Sequence, residues 1–432
     1  MSWILRYNHF MNDSVRQVQF FMLCRQSGII LSSIVLARFL PVESVGTIEM
    51  LMLCGYLMTF FWSDALIKGF LANVQKLSSL YSVSSFLWLY FLGGLVAMLL
   101  LFAGKSFFIP LFTSRPELEG LELFILYQAL IIPVWIAPLT GLLKGQNNVL
   151  VSLYVLIGPA FACWAGLTGL PGIAGVLSGL FCYALVGFVW LLTKTQSTPG
   201  LKLLGILRII WPATWPLVLY AVSIGIARSF DAWLVARNFD DASFAIFRYG
   251  AREFPLVMAL SAGLSMMMIP KLDDDHSLAE LKSRSVRLMH MCYPIVAVFI
   301  LFSPVLFEFF FGQEYRTSAL IFNIYLLLTL TQTFFPQSIM TSRGDTKLLW
   351  YISLAELVVN VVSSLILMKY FGIIGIVWGT LIAYVFEKIV LLFTIQFRYK
   401  IQPGSIISFP VWFGYVLCLS IVFILSRWVF GI

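Results

Sequence analysis

The chain has 432 residues, 60% of them hydrophobic and only 11% charged, with a formal net charge of +8. A soluble protein is nearer half apolar and a quarter charged, so this balance excludes a soluble globular domain. The positive charge does not call for nucleic acid, because basic residues gather on one face of any polytopic membrane protein.

Windows such as 29–40, 87–103, 150–167 and 295–311 lie inside long runs with few or no charges. Crossing a bilayer takes about 20 mostly apolar residues, and lipid offers the backbone no hydrogen-bond partners. In chain order the sequence therefore predicts helices over 17–40, 44–72, 79–103, 119–143, 148–168, 171–193, 208–236, 242–269, 285–311, 317–341, 346–369, 372–397 and 406–430. Short links with turn chemistry separate them: "LPVES", "TGLPG", "FDDAS", "SRGDT" and "QPGS". The fold class is an all-α polytopic membrane protein. Arg6, Arg16 and Arg25 interrupt the N-terminal stretch and no small-residue cleavage site follows, so the first span is expected to be retained.

The positive-inside rule orients the spans. With the N-terminus in the cytoplasm, the inner segments hold fifteen Lys and Arg and the outer ends seven. The remaining six of the 28 (Arg25, Lys68, Arg228, Arg248, Arg252 and Lys388) fall within spans. Thirteen spans put the C-terminus outside. The run "KLDDDHSLAELKSRSVR" (271–287) falls in an inner loop. Ser277 and Glu280 have the spacing of a capping box for the next span, a better account of the run than a cation site. Cys24, Cys54, Cys163, Cys182, Cys292 and Cys418 are scattered without a CxxC pair and read as small core residues. With only three histidines and no CxxC pair, no metal or cofactor is expected.

"PGIAGVLSGL" (171–180) returns as "FGIIGIVWGT" (371–380), 200 positions later, with three glycines at the same spacing. "LKGQN" (143–147) and "SRGDT" (342–346) correspond at an offset of 199, as do "LARFL" (36–40) and "VARNF" (235–239). Three matches at nearly one offset, each at an equivalent helix end, mark an internal duplication. The unit is six helices, an even number, so the two copies are parallel. The expected organisation is a six-helix bundle with its linker over 1–203, a second bundle over 204–400 and an extra transmembrane helix over 401–432. In transporters built this way the substrate site lies between the halves. The glycines are expected to let helices approach closely.

"FGQEYRTSALIFNIYLLL" (311–328) resembles the entry to the tenth helix of polysaccharide exporters in the MOP (MATE-like) superfamily. "RGDTKLLWYISLAELVVNVVSSLILMKYFGIIGIVWGTLIAY" (343–384) resembles their following helix pair, with mid-helix Asn360 and the "FGIIG" re-entry. "LARFLPVESVG" matches the pattern closing their first helix. No segment specifically matches the lipid II flippase branch. The resemblance implies a MATE-like pair of bundles and a flippase, not an enzyme. Such a flippase moves a lipid-linked oligosaccharide from the inner to the outer leaflet of a bacterial inner membrane, alongside polysaccharide polymerase or assembly proteins. Coupling to Na⁺, H⁺ or the membrane potential is compatible with it.

Charges inside spans carry the mechanism. A charge at mid-bilayer costs at least about 2.5–3.5 kcal/mol, so it faces a polar or water-filled interior. The candidates are Arg25, Asp64 and Lys68 in the first two spans, and Arg228, Asp231, Arg248, Arg252 and Glu253 in the seventh and eighth. Asp64 with Lys68, and Arg228 with Asp231, have the spacing of pairs along one helix face. Arg248 and Arg252 are expected to stack on one face of a continuous helix, while Glu387 and Lys388, being adjacent, are expected to point apart and snorkel. Arginine holds its charge when buried and presents a fork that fits phosphate oxygens. The arginines therefore suit a diphosphate headgroup, met first by the N-terminal cluster and later by the C-terminal one.

Two other classes compete. A cation-coupled multidrug antiporter would draw on Asp64, Asp231 and the many tryptophans. An integral-membrane glycosyltransferase or polymerase would need an acid or base above the outer surface, where only short loops without histidine are available.

Overall fold

A computed structural model describes residues 2–72, 83–112, 118–138, 146–194, 203–269, 272 and 275–431. Seventeen α-helices run through them. These are α1 (Ser2–Phe39), α2 (Val42–Ala72), α3 (Val83–Ala103), α4 (Lys105–Phe112), α5 (Leu121–Ile136), α6 (Gln146–Gly169), α7 (Gly172–Lys194), α8 (Leu203–Asn238) and α9 (Asp241–Gly250). Then follow α10 (Pro255–Met268), α11 (Asp275–Phe311), α12 (Arg316–Leu327), α13 (Thr329–Gln332), α14 (Pro336–Ser342), α15 (Thr346–Tyr399), α16 (Pro403–Ile406) and α17 (Phe409–Phe430). The chain is an all-helical, multi-pass membrane protein. Seven helices are long and apolar enough to cross a bilayer among the described residues, or nine if each of two sharply bent pairs counts as one span. Exposed aromatic side chains such as Trp428 and Tyr370, 82% and 77% accessible, belong against lipid. Cys182 and Cys418 are exposed too, so only the other four cysteines are core residues.

Each of the thirteen expected spans has a helical counterpart, but their interiors depart from straight rods. The expected helix 242–269 breaks over 251–254, between α9 and α10. Pro255 has no N–H to donate, and it forces Phe254 to be extended (φ −75°, ψ 108°). The expected helix 317–341 breaks before Pro336, where the flanking helices bend by 44°. At Gly104, α3 and α4 meet at 88°.

By packing, the chain divides into Met1–Ala245 and Ile246–Ile432. In the first unit α1 lies along α6, α2 along α8, and α5 packs against both α3 and α7. Leu66, Tyr90, Ile132, Ile136, Ile206 and Ile210 form one of its cores, contributed by α2, α3, α5 and α8. In the second unit α11 packs on α12 and α17, and α14 packs on α15. The packing boundary falls beyond the sequence-repeat boundary at 203/204 because α8, first helix of the second repeat by sequence, lies along α2.

The duplicated glycines divide into two kinds. Gly172 and Gly372 have positive φ (72° and 58°), so they turn the chain, a conformation glycine adopts at little cost. Gly372 (ψ −136°) splits α15 into two helices that fold back on each other. Gly175 and Gly179 are close-approach sites, since a Cβ there would strike the carbonyl oxygens of Leu170 and Ala162. A Cβ at Gly375 would likewise strike the Leu367 carbonyl oxygen, and one at Gly379 the hydroxyl and backbone nitrogen of Ser364. The expectation of one packing face holds for two glycines of each three.

Candidate functional site

In the first unit Arg25 sits on α1, within the apolar window 20–39. Its guanidinium lies over the Trp135 ring of α5, 4.7 Å from the centroid. Tyr127 of α5 and Tyr183 of α7 lie within electrostatic range of its charge. Tyr154 of α6 stacks on Tyr183 (4.5 Å between centroids, 17° between planes) and donates a hydrogen bond to the Tyr183 carbonyl oxygen. Among the described residues the Tyr183 hydroxyl and the Gln128 Oε1 are buried without a hydrogen-bond partner. Four helices thus bring an arginine, a tryptophan and three tyrosines into one polar nest in an apolar bundle.

Asp64 and Lys68 lie on α2 and Arg228 on α8, but their side chains are outside the described residues. Asp231 of α8 is buried, 7% exposed. A carboxylate of the expected turn "FDDAS" is buried as well. Asp241 opens α9 at 4% exposure and accepts a 2.6 Å hydrogen bond from the Thr47 hydroxyl. Asp240 beside it accepts from the Ser243 N–H at 2.9 Å. Acidic residues at a helix start were the signal available in "FDDAS".

In the second unit the break before Pro255 corrects the expected arginine stack. Arg248 remains on α9, whereas Arg252 and Glu253 lie in the non-helical segment and share no helix face with it. Arg252 turns back over the Tyr249 ring, 5.0 Å from its centroid. Glu253 Oε2 accepts a long contact from Gln332 Nε2 at 3.5 Å.

Glu387 and Lys388 also depart from expectation. They neither snorkel nor point apart. Both are 7% exposed and they pair at 3.1 Å. Gln337 Nε2 donates to Glu387 Oε1 at 2.7 Å. The pair lines a pocket of about 360 Å³ with Glu356, Gln332, Tyr384 and Ser261, whose Oγ is buried without a partner among the described residues. Ser265 and Ser338 share a 2.7 Å hydrogen bond on the same wall. Nearby, the two halves of α15 are stitched by buried polar groups. Ser364 Oγ donates 3.0 Å to Asn360 Oδ1 and lies 3.3 Å from the Ile376 carbonyl, which Thr380 Oγ1 also reaches at 3.2 Å. The expected capping box does not form: Ser277 lies inside α11, and Glu280 pairs with Arg284 at 2.6 Å.

No known sequence family and no curated protein matches the chain. Solved structures do. The lipid II flippase MurJ in an inward closed conformation aligns with a TM-score of 0.60 at 15% identity, covering 96% of this chain and 98% of that one. An inward-facing multidrug resistance MATE transporter of the MOP superfamily aligns at 0.56 and 14% identity, covering 90% and 98%. An outward-facing MATE transporter aligns at 0.53 and 15%, covering 90% and 94%. At such identities the likeness establishes the fold, which is that of MOP-superfamily transporters and flippases.

Proposed function

We propose that the chain is a flippase that moves a polyprenyl-diphosphate-linked oligosaccharide, a precursor of surface polysaccharide, from the inner to the outer leaflet by alternating access. The observation that carries this reading is Arg25, placed inside a membrane-spanning helix with its guanidinium over the Trp135 ring. A guanidinium presents a planar fork of donors that fits phosphate oxygens bidentately. The MOP-type fold, seen in a lipid II flippase, supports it. Arg248 and Arg252 would receive the headgroup later in the cycle. The expected site is the bacterial inner membrane with a cytoplasmic N-terminus, and Na⁺, H⁺ or the membrane potential would supply the driving force.

The test is arrival of the lipid-linked sugar in the outer leaflet, normalised to inserted protein. Arg25→Ala should abolish it, and Arg25→Lys should restore it only in part, because a point charge replaces a fork. Full transport by both Arg25→Ala and the Arg248→Ala/Arg252→Ala double variant would sink the reading.

A second reading has its own observation. Glu356 and Glu387 outnumber Lys388 on the 360 Å³ pocket, and acidic groups beside aromatic rings suit an organic cation. A cation-coupled multidrug antiporter would lose drug efflux on Glu356→Gln and keep it on Arg25→Ala.

A further inference from the structure

Three cations from three separate segments converge at one end of the second unit. Lys282 comes from the early turns of α11, Arg343 from the residue after α14, and Lys400 from the residue after α15. They line a recess of about 800 Å³ together with the hydroxyls of Ser283, Ser405 and Ser408. Among the described residues no carboxylate lines it. Of the carboxylates close by in sequence, Glu280 pairs with Arg284 at 2.6 Å and Asp345 with Arg398 at 2.8 Å, while the side chains of Asp273, Asp274 and Asp275 lie outside the described residues. Among the described residues, none of the three cations of the recess has a carboxylate partner.

Each cation is held in place and retains donors. Lys282 Nζ donates to the Gly404 carbonyl oxygen at 2.6 Å, which uses one of its three N–H groups. The Arg343 guanidinium lies over the Tyr399 ring at 4.7 Å, leaving its edge to bond. Lys400 has φ 60° and ψ 21°, alone among the described non-glycine residues in having a positive φ. After a helix this left-handed position normally falls to glycine. A side chain there is strained, and retained strain marks a position where the side chain has a task. The general bias of basic residues toward one membrane face explains that such residues occur near helix ends. It does not explain why three of them line one recess, or why one occupies a backbone geometry suited to glycine.

Helix ends lie at the level of the lipid phosphates, and basic pockets between transmembrane helices take anionic headgroups. We propose that this recess binds the phosphate of an anionic phospholipid headgroup. The site is independent of the solute the chain moves.

The full-length protein in detergent, offered phosphatidylglycerol and phosphatidylcholine in equal amounts, should retain the former selectively by native mass spectrometry. One cation near the lipid phosphate is worth about five-fold in binding. Lys400→Gly should lower the preference by about that factor, while relief of the left-handed backbone leaves the thermal transition in phosphatidylcholine unchanged or raised. The Lys282→Gln/Arg343→Gln/Lys400→Gly variant should lose the preference altogether, and if that variant does not fold, Lys400→Gly alone decides. Equal retention of the two lipids, or a preference intact in Lys400→Gly, overturns the proposal. So does a thermal shift by inorganic pyrophosphate equal to that by phosphatidylglycerol, which would assign the recess to a soluble phosphate.

Discussion

Arg25 in the first unit and Lys388 in the second are both cations inside membrane-spanning helices, yet the protein accommodates them by different physics. Arg25 rests on an aromatic face among phenols, where the ring quadrupole and partial charges stabilise it. Lys388 sits against a full negative charge, Glu387, in a pocket wall. The first contact is that of a cation with a ring face, which adds no full charge of its own. The second neutralises the ammonium at once and offers a ligand mostly amide, hydroxyl and carboxylate. Charge in a membrane helix is therefore a poor guide to role until its counter-group is known.

The largest effect should come from breaking the pair. Lys388→Ala would strand Glu387 in a site where each partner is 7% exposed, and breaking a buried pair from one side costs about 3–5 kcal/mol. Thermal unfolding in detergent measures it. The double variant Glu387→Gln/Lys388→Met should recover most of the loss, because two neutral groups need no counter-charge. If Lys388→Ala unfolds like the parent, the pair contributes nothing and the contrast with Arg25 collapses. Arg25→Ala, by comparison, should cut transport more than stability.

The duplicated hairpins supply the next effect. A methyl at Gly375 would strike the backbone at Leu367 and Met368, which cannot move aside as a flexible side chain can. Gly375→Ala should cost about 1–3 kcal/mol by overpacking. Gly263→Ala in α10, with nothing within 4 Å, should be neutral or gain about 0.5–1 kcal/mol. Similar unfolding temperatures for the two variants would show that the glycine pattern is not a packing device.

Much of this was legible in the sequence. Composition fixes the solvent, and apolar run length locates helices that the structure reproduces, including α17 beyond the duplication. The repeat offset picks out Gly172 and Gly372, although only the backbone separates turning glycines from packing ones. The break at 251–254 was readable in the Phe254–Pro255 pair, whose restricted backbone a hydropathy window ignores. Glu387 with Lys388 was not readable, because ideal helix geometry points neighbours apart while two long side chains can still curl together. The nest around Arg25 was hidden for another reason. Trp135, Tyr127, Tyr154 and Tyr183 come from three helices far along the chain, and no local pattern announces that they converge.

A smaller effect tests that nest. Trp135→Leu keeps an apolar side chain but removes the ring under Arg25, worth about 0.5–2 kcal/mol for a cation held 4.7 Å from the centroid. Transport should fall while insertion persists. Unchanged transport would mean that Arg25 does not need its aromatic support.

The smallest expected effect lies at the helix ends, outside the membrane. Asp345 accepts hydrogen bonds from Arg398 Nε and Nη2, at 2.8 and 3.0 Å, and from the Tyr399 hydroxyl. The Arg398 bonds first, and then Tyr399, hold its carboxyl below the ordinary carboxylate range. A group whose folded pKa is depressed stabilises fully above its unfolded value, about 3.9 for aspartate, and the contribution disappears as pH falls through the folded pKa. Solvent screens this exposed pair, so the effect should be slight. Parent and Asp345→Asn proteins should differ by a small constant in unfolding temperature at neutral pH, and the two curves should converge as the pH is lowered below that of free aspartate. A gap that widens on acidification would reverse the sign and remove Asp345 as an acceptor of charge. The contact of Arg343 over Tyr399 would still join the residue after α14 to the end of α15, and its cation keeps its charge throughout that range.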